Sequence, residues 1–164
     1  MSCATPTAKR CLLAILAVGW AAASPASDEE ATRRSLKGIP AFRVVVEQFG
    51  SNVQKRNALK VENLQADVES QLGQAGIPVS KSAEAVLYAN VAVVCGDDCA
   101  FNVTVEVQQR VRLERRSSAG PLLAPTWSTR GTGLVARRSS VIRRSLREQV
   151  DQFVTVYRAA NPPK

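Results

Sequence analysis

The sequence predicts an α+β fold: a four-stranded, mainly antiparallel sheet with two helices on one face, in the order β-α-β-β-β-α, preceded by a signal peptide. Three observations carry that expectation. Apolar residues recur at every second position on both sides of Cys95-Gly96-Asp97-Asp98-Cys99, as they do in strands with one dry face. Two other segments repeat apolar residues at three- and four-residue spacing, as helices with one dry stripe do. The chain also opens with a basic leader, an apolar run and then small residues, the order of a secretory signal.

The leader ends in Lys9 and Arg10, the apolar run "CLLAILAVGWAAA" covers Cys11 to Ala23, and small residues continue to Ser27. That run is shorter than the ~20 residues a membrane-spanning helix needs, so it reads as a cleaved signal, cut after Ala23 or Ala26. Cys11 precedes most of the run and is not placed to carry a lipid. The expected organisation is a signal peptide at 1–26, a flexible lead-in at 27–38 and a single α+β domain at 39–164, periplasmic or secreted and not membrane-spanning after cleavage. Of the four cysteines, Cys3 and Cys11 leave with the signal. Cys95 and Cys99 remain, and two nearby thiols in an oxidising compartment pair as a disulfide.

The lead-in Ser27–Gly38 is polar and charged, a composition that argues for disorder. "AFRVVVEQF" (Ala41–Phe49) reads as the first strand. Val61, Leu64, Val68, Leu72 and Ala75 form the stripe of the first helix, with Asn57 as its cap, Gly76 at its end and Pro78 beyond. Leu87, Ala89, Val91, Val93 and Cys95 then lie at every second position of a second strand, with Tyr88, Ala92 and Val94 on its other face. Cys99, Phe101, Val103, Val105 and Val107 hold every second position of a third.

With Cys95 opposite Cys99, the register pairs Val93 with Phe101, Val91 with Val103, Ala89 with Val105 and Leu87 with Val107. Apolar then meets apolar throughout. A slip of one residue would turn one strand's valines to water, so the cysteines read as the staple of a hairpin with a short Gly-containing loop. A redox pair would show two intervening residues at a helix start. Zinc needs about four ligands, which a chain without histidine does not supply here. Asp97 and Asp98 are too few for calcium. No metal and no cofactor are expected.

"SSAGPLLAP" reads as a connection, and "TWSTRGTGLVA" (Thr126–Ala136) as a fourth strand whose Gly131 and Gly133 mark a bulge or a close approach. The last helix carries Ile142, Leu146, Val150, Phe153 and Tyr157, with Ser139 or Ser140 as cap and Asn161-Pro162-Pro163 as its stop. The third strand outreaches a helix of ordinary length, so its arginine-rich end extends past the helical cover unless a bulge at Gln109 bends it.

In this order, "QLGQAGIPV", "VLYANVAV", "VEVQQRVRLER", "TWST" and "VDQFVTVYRAANP" resemble a group of small exported bacterial proteins of unknown function. The architecture is also similar to envelope modules such as the LptE-type lipoproteins and the amino-terminal domain of TolB. The motifs mark core positions and strand ends, so the resemblance implies a fold and a cell-envelope location but no chemistry.

Charge supplies the functional expectation. The chain carries a formal net charge of +8, and between Arg110 and Arg147 there are ten arginines and one acid, Glu114. Such a region suits an anionic partner: an envelope lipid or glycan, or an envelope protein. Nucleic acid is not expected, because the basic half lacks interleaved aromatic residues. Without histidine, serine–histidine and cysteine–histidine catalysis are excluded. The expectation is a non-catalytic exported module that binds or scaffolds an envelope component. Its candidate surface is Tyr88, Arg110, Arg112, Arg115, Arg116 and Arg130. The alternatives are a carboxylate-dependent envelope glycan hydrolase using Glu106 or Glu114, and a structural protein that self-associates through edge strands.

Overall fold

A computed structural model describes residues 26–47, 59–95, 99–116, 120–135 and 139–163. It contains a four-stranded sheet in the order β1-β2-β3-β4, with β1 at Phe42–Val46, β2 at Ala85–Cys95, β3 at Cys99–Val111 and β4 at Leu122–Val135. Among the described residues three α-helices accompany it: α1 at Ala26–Arg34, α2 at Val61–Gln74 and α3 at Ser139–Ala160. β1 runs parallel to β2, and the other pairs are antiparallel. Among the described residues no helix is long and apolar enough to cross a membrane.

The hairpin adopts the expected register. Val93 faces Phe101, Val91 faces Val103, Ala89 faces Val105 and Leu87 faces Val107, and the ladder ends on Cys95 opposite Cys99. Those two cysteines are joined in a disulfide; the loop residues between them lie outside the described residues. Val103, Val105 and Val107 are fully buried. Their roof is α3, through Ile142, Leu146, Val150 and Phe153, while α2 covers the β1 side of the same core with Leu64, Val68 and Leu72. Phe153 meets Phe42 and Trp127 edge-on, with ring centroids 5.2 and 5.4 Å apart. This aromatic group ties the first strand, the last strand and the last helix together, at the separations such rings prefer.

Helix α2 ends as expected. Gly76 takes φ 72°, where a side chain would be strained, and the amide of Ile77 reaches the Leu72 carbonyl at 2.9 Å. This is a Schellman closure with apolar residues at both ends. The start differs from expectation. Lys60, not Asn57, occupies the cap position, and its side chain makes no capping bond; Asn57 lies outside the described residues. Helix α3 begins at Ser139 itself, so the residue before it, where a cap would sit, is also outside them.

The largest correction concerns the lead-in. Ser27–Gly38, expected to be flexible, forms most of α1 and a turn that packs on the sheet. Leu36 is fully buried in the core and Ile39 nearly so. The Ser35 carbonyl accepts a bond from Gln109 Nε2 at 3.0 Å, and its hydroxyl donates to the Thr126 carbonyl at 3.1 Å. Asn161 locks the segment to the end of α3: its Nδ2 donates to the Leu36 carbonyl at 3.0 Å, and its Oδ1 accepts the Gly38 amide at 2.7 Å. The turn after α1 therefore joins the roof, and packing begins before residue 39. A single leucine among charges has no periodicity to announce it, because the partners that bury it are far along the chain.

β4 also starts earlier than expected, with Leu122–Pro125 already paired to the end of β3. Pro125 is tolerated because β4 is an edge strand. The ladder shifts between Val107 and Gln108, where Val107 faces Trp127 but Gln108 faces Pro125. Thr126 is thus the extra residue of a bulge, on the strand opposite the one expected to bend. Its hydroxyl accepts from Gln109 Nε2 at 2.6 Å. Gly131 and Gly133 mark close approach rather than a bulge. A Cβ on Gly131 would sit 2.7 Å from Ser145 Oγ, and one on Gly133 would sit 2.7 Å from the Phe101 ring.

Two variants test this packing. Leu36→Ala is expected to cost about 2–5 kcal/mol, the range for emptying a closed apolar site, read as a lower urea midpoint; a surface lead-in would give almost no change. Gly133→Val is expected to cost about 1–3 kcal/mol, because the Phe101 ring must leave its place.

Candidate functional site

Because the helices roof one side of the sheet, the functional question falls on the other. Its side chains lie in rows set by the registers. The central row runs Val45, Tyr88, Glu106, Ser128, and the next row toward the disulfide runs Asn90, Thr104, Arg130. At the disulfide end Val94, Ala100 and Leu134 are aligned, and Val94 and Leu134 are 73% and 77% exposed. At the opposite end a row holds Arg43, Val86, Gln108 and Pro125, and Arg110 lies beyond it, facing Leu123.

Near the centre, Glu47 at the end of β1 accepts hydrogen bonds from the Tyr88 hydroxyl and the Asn90 amide. Those two bonds, Tyr88 first, hold the Glu47 carboxyl below its ordinary range, since they favour the charged form. The same bond to Glu47 is the main cause of the raised pKa of Tyr88. Tyr157 is raised as well, by burial, with its hydroxyl donating to the Ile39 carbonyl at 2.7 Å.

The six expected surface residues divide into two groups. Arg110, Arg112 and Arg115 are exposed at one end, with Arg112 just past β3 and Arg115 in a single 3-10 turn, Glu114–Arg116. The side chain of Arg116 lies outside the described residues. Tyr88 and Arg130 belong to the middle rows, and Glu106 and Glu47 stand among them. Six residues of β3 separate the row of Arg130 from Arg110, about 20 Å along a strand.

At the arginine end the fold adds two cations that sequence reasoning missed. An open depression of about 540 Å³ is lined by Arg43, Lys81, Glu84, Arg110, Pro121 and Leu123. Arg43 arrives by the parallel pairing of β1. Lys81 arrives because the chain before β2 is tied to β1: the Phe42 amide donates to the Pro78 carbonyl at 3.0 Å, and the Ser80 amide to the Phe42 carbonyl at 2.9 Å. The ion pairs among the described residues lie elsewhere: Arg33 and Arg34 with Glu30, Arg143 with Asp67, and Arg144 with Glu148. The signal that could have found Arg43 and Lys81 is three-dimensional; neither stands in a basic run. Among the described residues no group of three or more cysteines and carboxylates is arranged to hold a metal.

No protein-family model matches the chain. No curated protein sequence matches it either. Among solved structures it is similar to a PelC dodecamer from Paraburkholderia phytofirmans, at 17% identity and TM-score 0.41 over 73% of this chain and 86% of that one. It is also similar to a minor lipoprotein from Acinetobacter baumannii, at 11% identity and TM-score 0.35 over 74% of this chain and 93% of that one. At these levels the likeness assigns no role to any residue here.

The Glu47–Tyr88 bond yields a measurable signature. The chain has 2 tyrosines, and both are raised, so phenolate absorbance is expected to appear only above the ordinary tyrosine range. Glu47→Ala should return one of the two toward that range and leave the other. The sign for stability follows: a raised tyrosine stabilises the fold below its unfolded pKa, ~10, and that contribution is lost as pH climbs through the folded value. The lowered Glu47 stabilises above its unfolded pKa and loses this as pH falls.

Proposed function

We propose that this protein is a non-catalytic exported module that holds an anionic component of the cell envelope at the basic end of its uncovered sheet face. The observation that carries this reading is the convergence of Arg43, Lys81 and Arg110 on one open depression, with Arg112 and Arg115 exposed in the segment that follows Arg110 and the end of β3. Three segments distant in sequence deliver three cations to one place, where Glu84 is the one acid among the described residues of the lining. Such a cluster opposes folding by its own repulsion and is relieved by an anion. The N-terminal leader supports export. The hydrolase alternative would use Glu106 or Glu114, and neither lines the basic depression.

The test uses a soluble polyanion, dextran sulfate, at low salt. The native protein should bind with an affinity that falls steeply as salt rises. The triple variant Arg110→Glu, Arg112→Glu, Arg115→Glu should bind roughly a hundredfold more weakly, at ~1 kcal/mol per cation. An affinity unchanged by the triple reversal rejects the reading.

A further inference from the structure

The basic end of the sheet is also where apolar side chains reach solvent. Leu122 and Leu123, the first residues of β4, are 47% and 55% exposed, and Val79 is 39% exposed. Consecutive strand residues point to opposite sides, so the two leucines project from both faces of the edge strand. Leu123 stands directly opposite Arg110, and Leu122 opposite Val111 at the end of β3. Val79 bridges to Phe42 at the start of β1, which places it at this same end. Pro121, just before β4, is exposed as well.

Around these apolar residues stand Lys37, Arg43, Lys81, Arg110, Arg112 and Arg115, all exposed. Lys37 belongs here because it lines a neighbouring depression together with Arg110 and Glu84. The acids at this end are Glu84 and Glu114. The disulfide end is different: Val94 and Leu134 are more exposed than the leucines, but the depression around them is lined by Ala92, Ala100, Phe101, Asn102, Thr132 and other uncharged residues. Among the described residues, apolar exposure and positive charge therefore coincide at the Leu122–Leu123 end and not around Val94 and Leu134.

From this pairing we infer that the Leu122–Leu123 end of the sheet docks on the surface of an anionic phospholipid bilayer, with the leucines entering the headgroup boundary and the ring of cations meeting lipid phosphates. Each half of the feature is weak by itself. Cations near an anionic leaflet contribute long-range attraction that salt removes, while a few shallow apolar side chains contribute a short-range, salt-resistant part. Together they orient the molecule with β3 and β4 end-on to the membrane. The disulfide-stapled hairpin tip, at the other end of the same strands, then points away from it. The inference rests on the anion-binding reading above and narrows the partner to a bilayer.

Co-sedimentation of the exported protein with vesicles tests it, using phosphatidylglycerol mixed into phosphatidylcholine against pure phosphatidylcholine. The native protein should sediment with the anionic vesicles and not with the neutral ones. Leu122→Ser with Leu123→Ser should weaken anionic-vesicle binding by about tenfold, leaving a remainder that raised salt abolishes. Its dextran sulfate affinity should be unchanged. Val94→Ser with Leu134→Ser, at the opposite end, should bind vesicles as the native protein does. The inference is overturned by vesicle binding that the leucine pair does not alter, by equal binding to neutral vesicles, or by an equal loss in the Val94 and Leu134 variant. Dextran sulfate binding without any vesicle binding overturns the bilayer and leaves the anion reading standing. Dextran sulfate binding that survives the triple arginine reversal sinks that reading instead.

Discussion

A sheet with one dry side must be roofed, and the architecture of this protein follows from where Val91, Val103, Val105 and Val107 point. All four are buried or nearly so, and they lie in adjacent rungs of one hairpin. That arrangement tolerates no slip, because the side-chain period of a strand is two and a shift of one residue reverses every face. The Cys95–Cys99 bond closes the ladder at its tip. In the chain-entropy model a ring this short contributes about 2 kcal/mol, enough to bias the register of the hairpin but small beside the apolar area it aligns. Helix α3 then covers β3 and β4, α2 covers the β1 side, and the turn after α1 plugs the gap over the far end of β3.

The plug explains several side chains that look unrelated in sequence. Gln109 falls where an apolar residue is due on the dry side, yet it is used: its amide bonds both the Ser35 carbonyl and Thr126 Oγ1. The bulge at Thr126 supplies the second of those partners. Asn161 and Tyr157 hold the same segment from the other side, through the Leu36, Gly38 and Ile39 backbone. These side chains are half-buried, and a polar group taken from water with its partners in place costs little and orients the pieces around it.

Roofing one side commits the other to solvent, and its character changes along its length. The middle rows are polar and mixed in charge, with Glu47 held by Tyr88 and Asn90. The two ends expose apolar residues, and among the described residues the end of Leu122 and Leu123 also gathers cations. This polarity arises because β1 is short and parallel, which brings Arg43 into the row of Gln108 near the end of β3, while the connection before β2 carries Lys81 to the same rim.

The residues that alternate or repeat were legible without coordinates: the hairpin register, the stripes of α2 and α3, the glycine stop at Gly76 and the cysteine staple. Each is local, since period and cap depend on neighbours a few positions away. So too was the excess of arginine after Arg110, since charge is a property of composition. How distant segments share space was decided in three dimensions. Leu36 is buried because Asn161 and Gln109 hold its segment down, Gly133 is required because Phe101 lies across it, and Arg43 joins Arg110 because β1 pairs with β2. None of these leaves a period in the chain. Contacts between residues far apart in sequence are set by packing, which a linear pattern does not encode.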